Sequence, residues 1–147
     1  AGHFTIFSAT QREKMHGHNY TVHAAITTTI EKAGLSFDYR FYKNKIHLLC
    51  RELNGLFLLP AHSEHLKITP IEKAYHLLFG DEEFIFPMAD VRILPLVNIT
   101  VEELSQWFID KLMEDEETLL KDHVRAITIK IFSSPGQCGS ACVNISL

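Results

Sequence analysis

Glu13-Lys14-Met15-His16-Gly17-His18-Asn19-Tyr20 opens the stretch on which the fold turns. Over 17–30 the chain is rich in Thr, Val, Ile and Tyr, with His18, Tyr20, Val22, Ala24 and Ile26 at every second position. Side chains alternate across a strand, so this is a long strand with those five residues on one face. His16 and His18 project from that same face, and Gly17 between them leaves room for both imidazoles to converge on one ion. His3 is the candidate third nitrogen, from a neighbouring strand. Three neutral imidazoles with an open fourth position form a catalytic rather than a structural zinc site. Histidines at this spacing also occur as solvent-facing strand residues, and the spacing alone leaves both readings open.

Beyond the strand, Gly34-Leu35-Ser36-Phe37-Asp38 supplies a turn and a helix N-cap. Tyr42, Ile46, Leu49 and Leu53 then recur at the spacing of an amphipathic helix. The run 56–59 closes with Pro60; 65–69 and 73–79 predict short strands separated by Pro70, with another over 84–86, together a small antiparallel insert. Thr100-Val101-Glu102-Glu103 is a capping box, and Leu104, Trp107, Phe108 and Leu112 are the apolar stripe of a second helix behind it, which frays in the acidic run 114–117. Val124, Ala126, Thr128, Lys130 and Phe132 alternate with Arg125, Ile127, Ile129 and Ile131 in a strand whose hairpin partner is 142–147, across the loop Ser133-Ser134-Pro135-Gly136. This order predicts an α+β domain with helices on one face of an antiparallel sheet.

A chain of 147 residues with 46% hydrophobic and 22% charged residues can bury a core as a single domain over 1–147. Its net charge of -4, with no Lys or Arg run, argues against a nucleic-acid or membrane-surface partner. No apolar stretch has the length of a membrane span and no basic-then-apolar leader is present, which predicts a cytoplasmic location. Cys138 and Cys142, four apart on a strand, stand roughly 13 Å from each other, too far for a disulfide. With Cys50 they are expected to be small packing residues.

Ala1-Gly2-His3-Phe4 followed by the 13–20 segment resembles the signature of the 6-pyruvoyltetrahydropterin and 6-carboxytetrahydropterin synthases. Phe37-Asp38-Tyr39 with Lys43, Phe86-Pro87-Met88-Ala89-Asp90-Val91 with Leu94-Pro95, Asn98-Ile99-Thr100-Val101-Glu102 and Ser134-Pro135-Gly136-Gln137 extend the resemblance over nearly the whole chain. It implies a tunnelling fold (T-fold): a four-stranded antiparallel sheet with two helices, copies of which join edge to edge as a homo-oligomer, a trimer or a pair of trimers. It further implies zinc held by His3, His16 and His18, a reduced pterin such as 7,8-dihydroneopterin triphosphate as substrate, and Thr100 in contact with the pterin, although helix capping alone also accounts for that threonine.

The chain departs from the family pattern at three places. Arg12 stands where most members carry a cysteine base, and Glu13 makes the string E-x-x-H-G-H, which resembles a branch where Glu replaces that cysteine and the side chain is cleaved to 6-hydroxymethyldihydropterin. Glu13 is then either the general base or a solvated loop charge. Asn54-Gly55 replaces the Asp-His relay, for which His62, Glu64 and His65 are possible substitutes or merely solvated loop residues; Asp122-His123 reads as surface. Ser133, or Phe132, replaces the glutamate that anchors the pterin ring. Two readings follow: a zinc-dependent lyase with Glu13 as base, or a catalytically altered, oligomeric metal- or heterocycle-binding protein without the standard activity.

Overall fold

Ile127, Ile129 and Ile131, the alternate residues of the late strand, are at most 2% exposed and form the floor of the main core. The computed structural model describes residues 1–30, 34 and 37–146. Its elements are β1 (Gly2–His3), β2 (His16–Gly17), β3 (Thr21–Thr28), α1 (Arg40–Leu53), β4 (Phe57–Pro60), β5 (Lys67–Ile71), β6 (Ala74–Phe79), β7 (Glu82–Pro87), β8 (Val91–Leu94), α2 (Val101–Met113), α3 (Glu116–Lys121), β9 (Val124–Ser134) and β10 (Gln137–Asn144). The expectations for Leu35 and Ser36 in the turn, and for Leu147 in the last strand, lie outside the described residues. The fold is α+β, and among the described residues no helix is long and apolar enough to cross a membrane.

The sheet differs from the expected four-stranded antiparallel one. The antiparallel sheet has three strands among the described residues, in the order β10-β9-β3. A separate four-stranded sheet, β2-β1-β4-β8, is mixed: β1 and β2 are antiparallel, while β1 with β4 and β4 with β8 are parallel. Parallel neighbours need long crossovers, and α1 and the insert β5-β6-β7 supply them. The long early strand is split for the same reason, because His16-Gly17 pairs with β1 while β3 pairs with β9. Val124 joins the buried face rather than the Ala126 face, because a register shift between Thr27 and Thr28 flips the strand end.

Tyr42, Leu49 and Leu53 of α1 are buried, with Ile46 packed beside them, as their spacing predicts. On α2, Leu104, Trp107, Phe108 and Leu112 pack onto β9 and β10, each apolar side chain contributing roughly 2 kcal/mol by burial. Gly139 of β10 meets this helix so closely that an added Cβ would lie 2.5 Å from the amide nitrogen of Glu102. Ser105 seals the contact, its hydroxyl donating to the carbonyls of Val101 at 2.7 Å and Gly139 at 3.0 Å.

Several local expectations are corrected. The acidic run does not fray but starts α3: the Asp115 carboxylate accepts from the Thr118 amide, and Glu116 and Glu117 sit in the first turn, where negative charge is favoured. Pro70 lies inside β5, opposite Tyr75, which an edge strand tolerates; the turn comes at Glu72 and Lys73. Cys138 and Cys142 are exposed rather than packed; all three cysteines are free, and Cys50 alone packs against the core. Asp122 is only partly exposed, and its carboxylate accepts from the Tyr42 hydroxyl at 2.7 Å, tying the end of α3 to α1.

A second core of Phe4, Ile6, Leu59, Leu66, Leu77, Phe79 and Val91 lies between the mixed sheet and the insert. His3 sits at the seam, preceding Phe4 of this cluster and hydrogen-bonded to Ile99 of the main one.

Candidate metal centre

The antiparallel register of β1 and β2 sets His3 directly opposite His16 and Gly2 opposite Gly17. Opposed residues project from one face, so the two imidazoles meet with ring centroids 4.6 Å apart. His18, just past the end of β2, turns its ring edge-on to His16, and their Nε2 atoms are 3.0 Å apart. One nitrogen from each of His3, His16 and His18 falls within 4.8 Å of the other two, and among the described residues this group could hold a metal ion.

Hydrogen bonds fix which nitrogens face inward. The Nδ1 of His3 lies 3.1 Å from the carbonyl of Ile99, and the Nδ1 of His16 lies 2.7 Å from that of Lys14. A carbonyl only accepts, so both rings carry their hydrogen on Nδ1 and turn a bare Nε2 lone pair to the centre. In His3 that Nε2 is buried and has no hydrogen-bond partner among the described residues. An orphaned buried acceptor is costly, and a cation satisfies it. The donor set therefore fits a divalent ion of zinc's type, with oriented neutral imidazoles whose outer nitrogens are held by carbonyls. Burial, and then the His16 imidazole beside each, hold His3 and His18 below the ordinary imidazole pKa, which favours the neutral, ligating form.

Glu13 flanks this group. Its Oε2 is 3.6 Å from the Nε2 of His16 and accepts from the Thr5 amide at 3.2 Å, while its own amide donates to the Thr5 carbonyl at 2.8 Å. It is thus a held carboxylate at the edge of the centre and not a loose loop charge. Tyr20 stands against His18 with ring centroids 5.3 Å apart; burial, and then the Glu13 charge, raise its pKa and keep the phenol protonated. Arg12 points elsewhere. Its guanidinium donates to both oxygens of Glu82, at 3.1 and 2.7 Å, and lies over the rings of Phe4, Phe79 and Phe84, clamping the insert to the histidine loop.

The other candidates take different positions. Thr100 caps α2, its hydroxyl accepting from the Glu103 amide at 3.2 Å. Asn54 lines a cavity with His18 and Tyr20, where its amide can hydrogen-bond but not take up a proton. Gly55, at φ +74, is the left-handed residue just past the end of α1, which explains its identity by helix termination. His62, Glu64 and His65 line a different groove with Ile6 and Val97. Phe132 packs on His23, with centroids 4.9 Å apart, and the groove it lines with Asn19 and Thr21 has no carboxylate among its lining residues. The carbonyls of Ile99 and Lys14 went unread in the sequence, since every residue offers one; Tyr20 was legible only as a strand residue.

The α+β fold and its three converging imidazoles define a class of small proteins with a tri-histidine centre. The family model for 6-pyruvoyl tetrahydropterin synthase matches residues 1–142, and the chain belongs to that family. A Methanocaldococcus jannaschii protein provisionally assigned as a 6-carboxy-5,6,7,8-tetrahydropterin synthase is 26% identical over 126 residues, 84% of this chain and 76% of the relative. The structure of Plasmodium falciparum 6-pyruvoyl tetrahydropterin synthase matches with a TM-score of 0.92 at 29% identity, covering 98% of this chain and 90% of that one. A Plasmodium vivax 6-pyruvoyltetrahydropterin synthase matches with the same TM-score at 28% identity over the same shares, in a variant whose catalytic glutamate is replaced by alanine.

Proposed function

We propose that this chain is a zinc-dependent lyase acting on a reduced pterin such as 7,8-dihydroneopterin triphosphate. The observation that carries this reading is the buried, unpartnered Nε2 of His3 facing His16 and His18, with a carboxylate 3.6 Å from His16. His3, His16 and His18 would hold the metal, which supplies a Lewis acid that makes a substrate hydroxyl easier to deprotonate. Glu13 takes up the proton; the Thr5 amide holds its Oε2 in place. The P. vivax relative, where a glutamate is named catalytic, supports giving this part to Glu13. Tyr20, kept protonated, offers a hydrogen-bond donor beside His18. Thr100 spends a lone pair on the helix cap and keeps its hydrogen to donate to the pterin.

The chain is proposed to work as a T-fold homo-oligomer, a trimer or hexamer, because β3 and β10 each leave an unpaired edge among the described residues, and such edges need cover. The deciding experiment combines elemental analysis with turnover of 7,8-dihydroneopterin triphosphate by zinc-loaded protein. One zinc per chain with product formation that Glu13→Ala abolishes is the expected result. Stoichiometric zinc without turnover would instead favour the altered, binding-only reading, to which Asn54, Gly55 and Ser133 lend support.

A further inference from the structure

Asn98-Ile99-Thr100 lies outside every helix and strand, yet it governs the histidine loop. The Asn98 carboxamide engages both backbone groups of one residue of that loop: Nδ2 donates to the Ile6 carbonyl at 2.8 Å, and Oδ1 accepts from the Ile6 amide at 3.1 Å. Oδ1 also accepts from the amide of Ile99 at 3.1 Å, a residue with no exposure. A side-chain amide carries an acceptor and a donor side by side in one plane, as a peptide strand does, so Asn98 stands in for a strand neighbour on the side of Ile6 away from Arg12.

Both partners of Asn98 bear directly on the centre. The Ile99 carbonyl receives the Nδ1–H of His3 at 3.1 Å and the Thr5 hydroxyl at 3.4 Å. Thr5, next to Ile6, holds Glu13 through both its amide and its carbonyl. The clamp therefore closes a ring, Asn98 to Ile6, Thr5 and Ile99, from which His3 is aimed on one side and Glu13 on the other.

We propose that Asn98 is a positioning residue of the metal centre, locking the Ile99 carbonyl that fixes the tautomer and direction of His3. This rests on the reading of His3, His16 and His18 as metal ligands but not on the reaction or its substrate. Groups that orient a ligating histidine typically change metal affinity by about 10- to 100-fold when lost.

The test measures Zn²⁺ affinity by competition with a chromogenic chelator, and the exchange of the His3 Nδ1–H by NMR in metal-free protein. Asn98→Ala is expected to weaken zinc binding at least about tenfold and to speed loss of the His3 Nδ1–H signal. Asn98→Asp keeps the acceptor and loses the donor to Ile6, and should fall between Asn98→Ala and the parent; it decides the matter if Asn98→Ala does not fold. A folded variant with parental zinc affinity and an unchanged His3 signal overturns the proposal, even if its melting temperature has dropped. Should the parent protein itself bind no zinc, the metal reading fails separately, and the NMR arm still decides whether Asn98 orients His3.

Discussion

The Nε2 atoms of His16 and His18 stand 3.0 Å apart, and the Nδ1 of His16 is already committed to the Lys14 carbonyl. The hydrogen shared between them leaves the Nε2 of His3, buried and without a partner among the described residues, unsatisfied. A divalent ion such as zinc would satisfy all three nitrogens together. Its addition at a hundredfold excess over its dissociation constant should stabilise the fold by about 2.7 kcal/mol. Thermal melts with and without zinc check this, and His18→Ala should remove most of the gain.

Metal-free protein should be acid-sensitive. Burial lowers the pKa of His3 and His18 in the folded chain below the ordinary value of 6.5, so as pH falls the unfolded chain takes up protons first. The contribution of these residues is complete well above 6.5 and is lost as pH falls through that value toward their folded pKa. Melting temperatures of chelator-treated protein should therefore drop from neutral pH downward, with a shallower slope in His3→Gln.

Arg12 joins the histidine loop to the insert through a paired contact with Glu82 and three aromatic rings, with a side chain only 15% exposed. Arg12→Ala should cost about 2 kcal/mol in urea unfolding, from the charge-assisted hydrogen bonds and the cation–π contacts together. Arg12→Lys should recover only part, since an ammonium cannot make the forked contact.

Gly139→Ala should be among the most damaging single-methyl changes in the chain. Its Cβ would meet the Glu102 nitrogen at 2.5 Å and the Val101 carbonyl carbon at 2.6 Å, and both are backbone atoms in the first turn of α2. Overpacking against atoms that cannot rotate away costs about 3 kcal/mol. An unchanged urea midpoint would show that β10 can move off the helix.

Much of this molecule was readable from pattern, and the unread parts share a physical cause. The period-two runs in β3 and β9 and the stripe Tyr42, Ile46, Leu49, Leu53 show themselves because one face of each element meets the core. The parallel ladder of β1, β4 and β8 escaped, because a strand as short as Gly2–His3 has no period and its neighbours are set by crossovers. At the site, spacing brought out His16 and His18, and the family resemblance added His3. Ile99 could not be read, because what it contributes is a carbonyl. Gly55 was read as a lost relay residue, and its φ of +74 gives it a second meaning as the end of a helix.

His3 and the carbonyl that aims it are 96 positions apart. During synthesis the segment bearing all three imidazoles emerges well before Ile99, with about 80 residues between His18 and that carbonyl; at about 5–20 residues per second, this is a wait of several seconds. For that interval His3 lacks the acceptor that aims it, while His16 already has its own in the Lys14 carbonyl, and less geometrically defined imidazole sites follow intrinsic affinity, in which copper outranks zinc. Should the three imidazoles hold a metal, the geometry that selects it would be complete only when the late loop docks, and a nascent chain stalled before Asn98 would lack the carbonyl that aims His3.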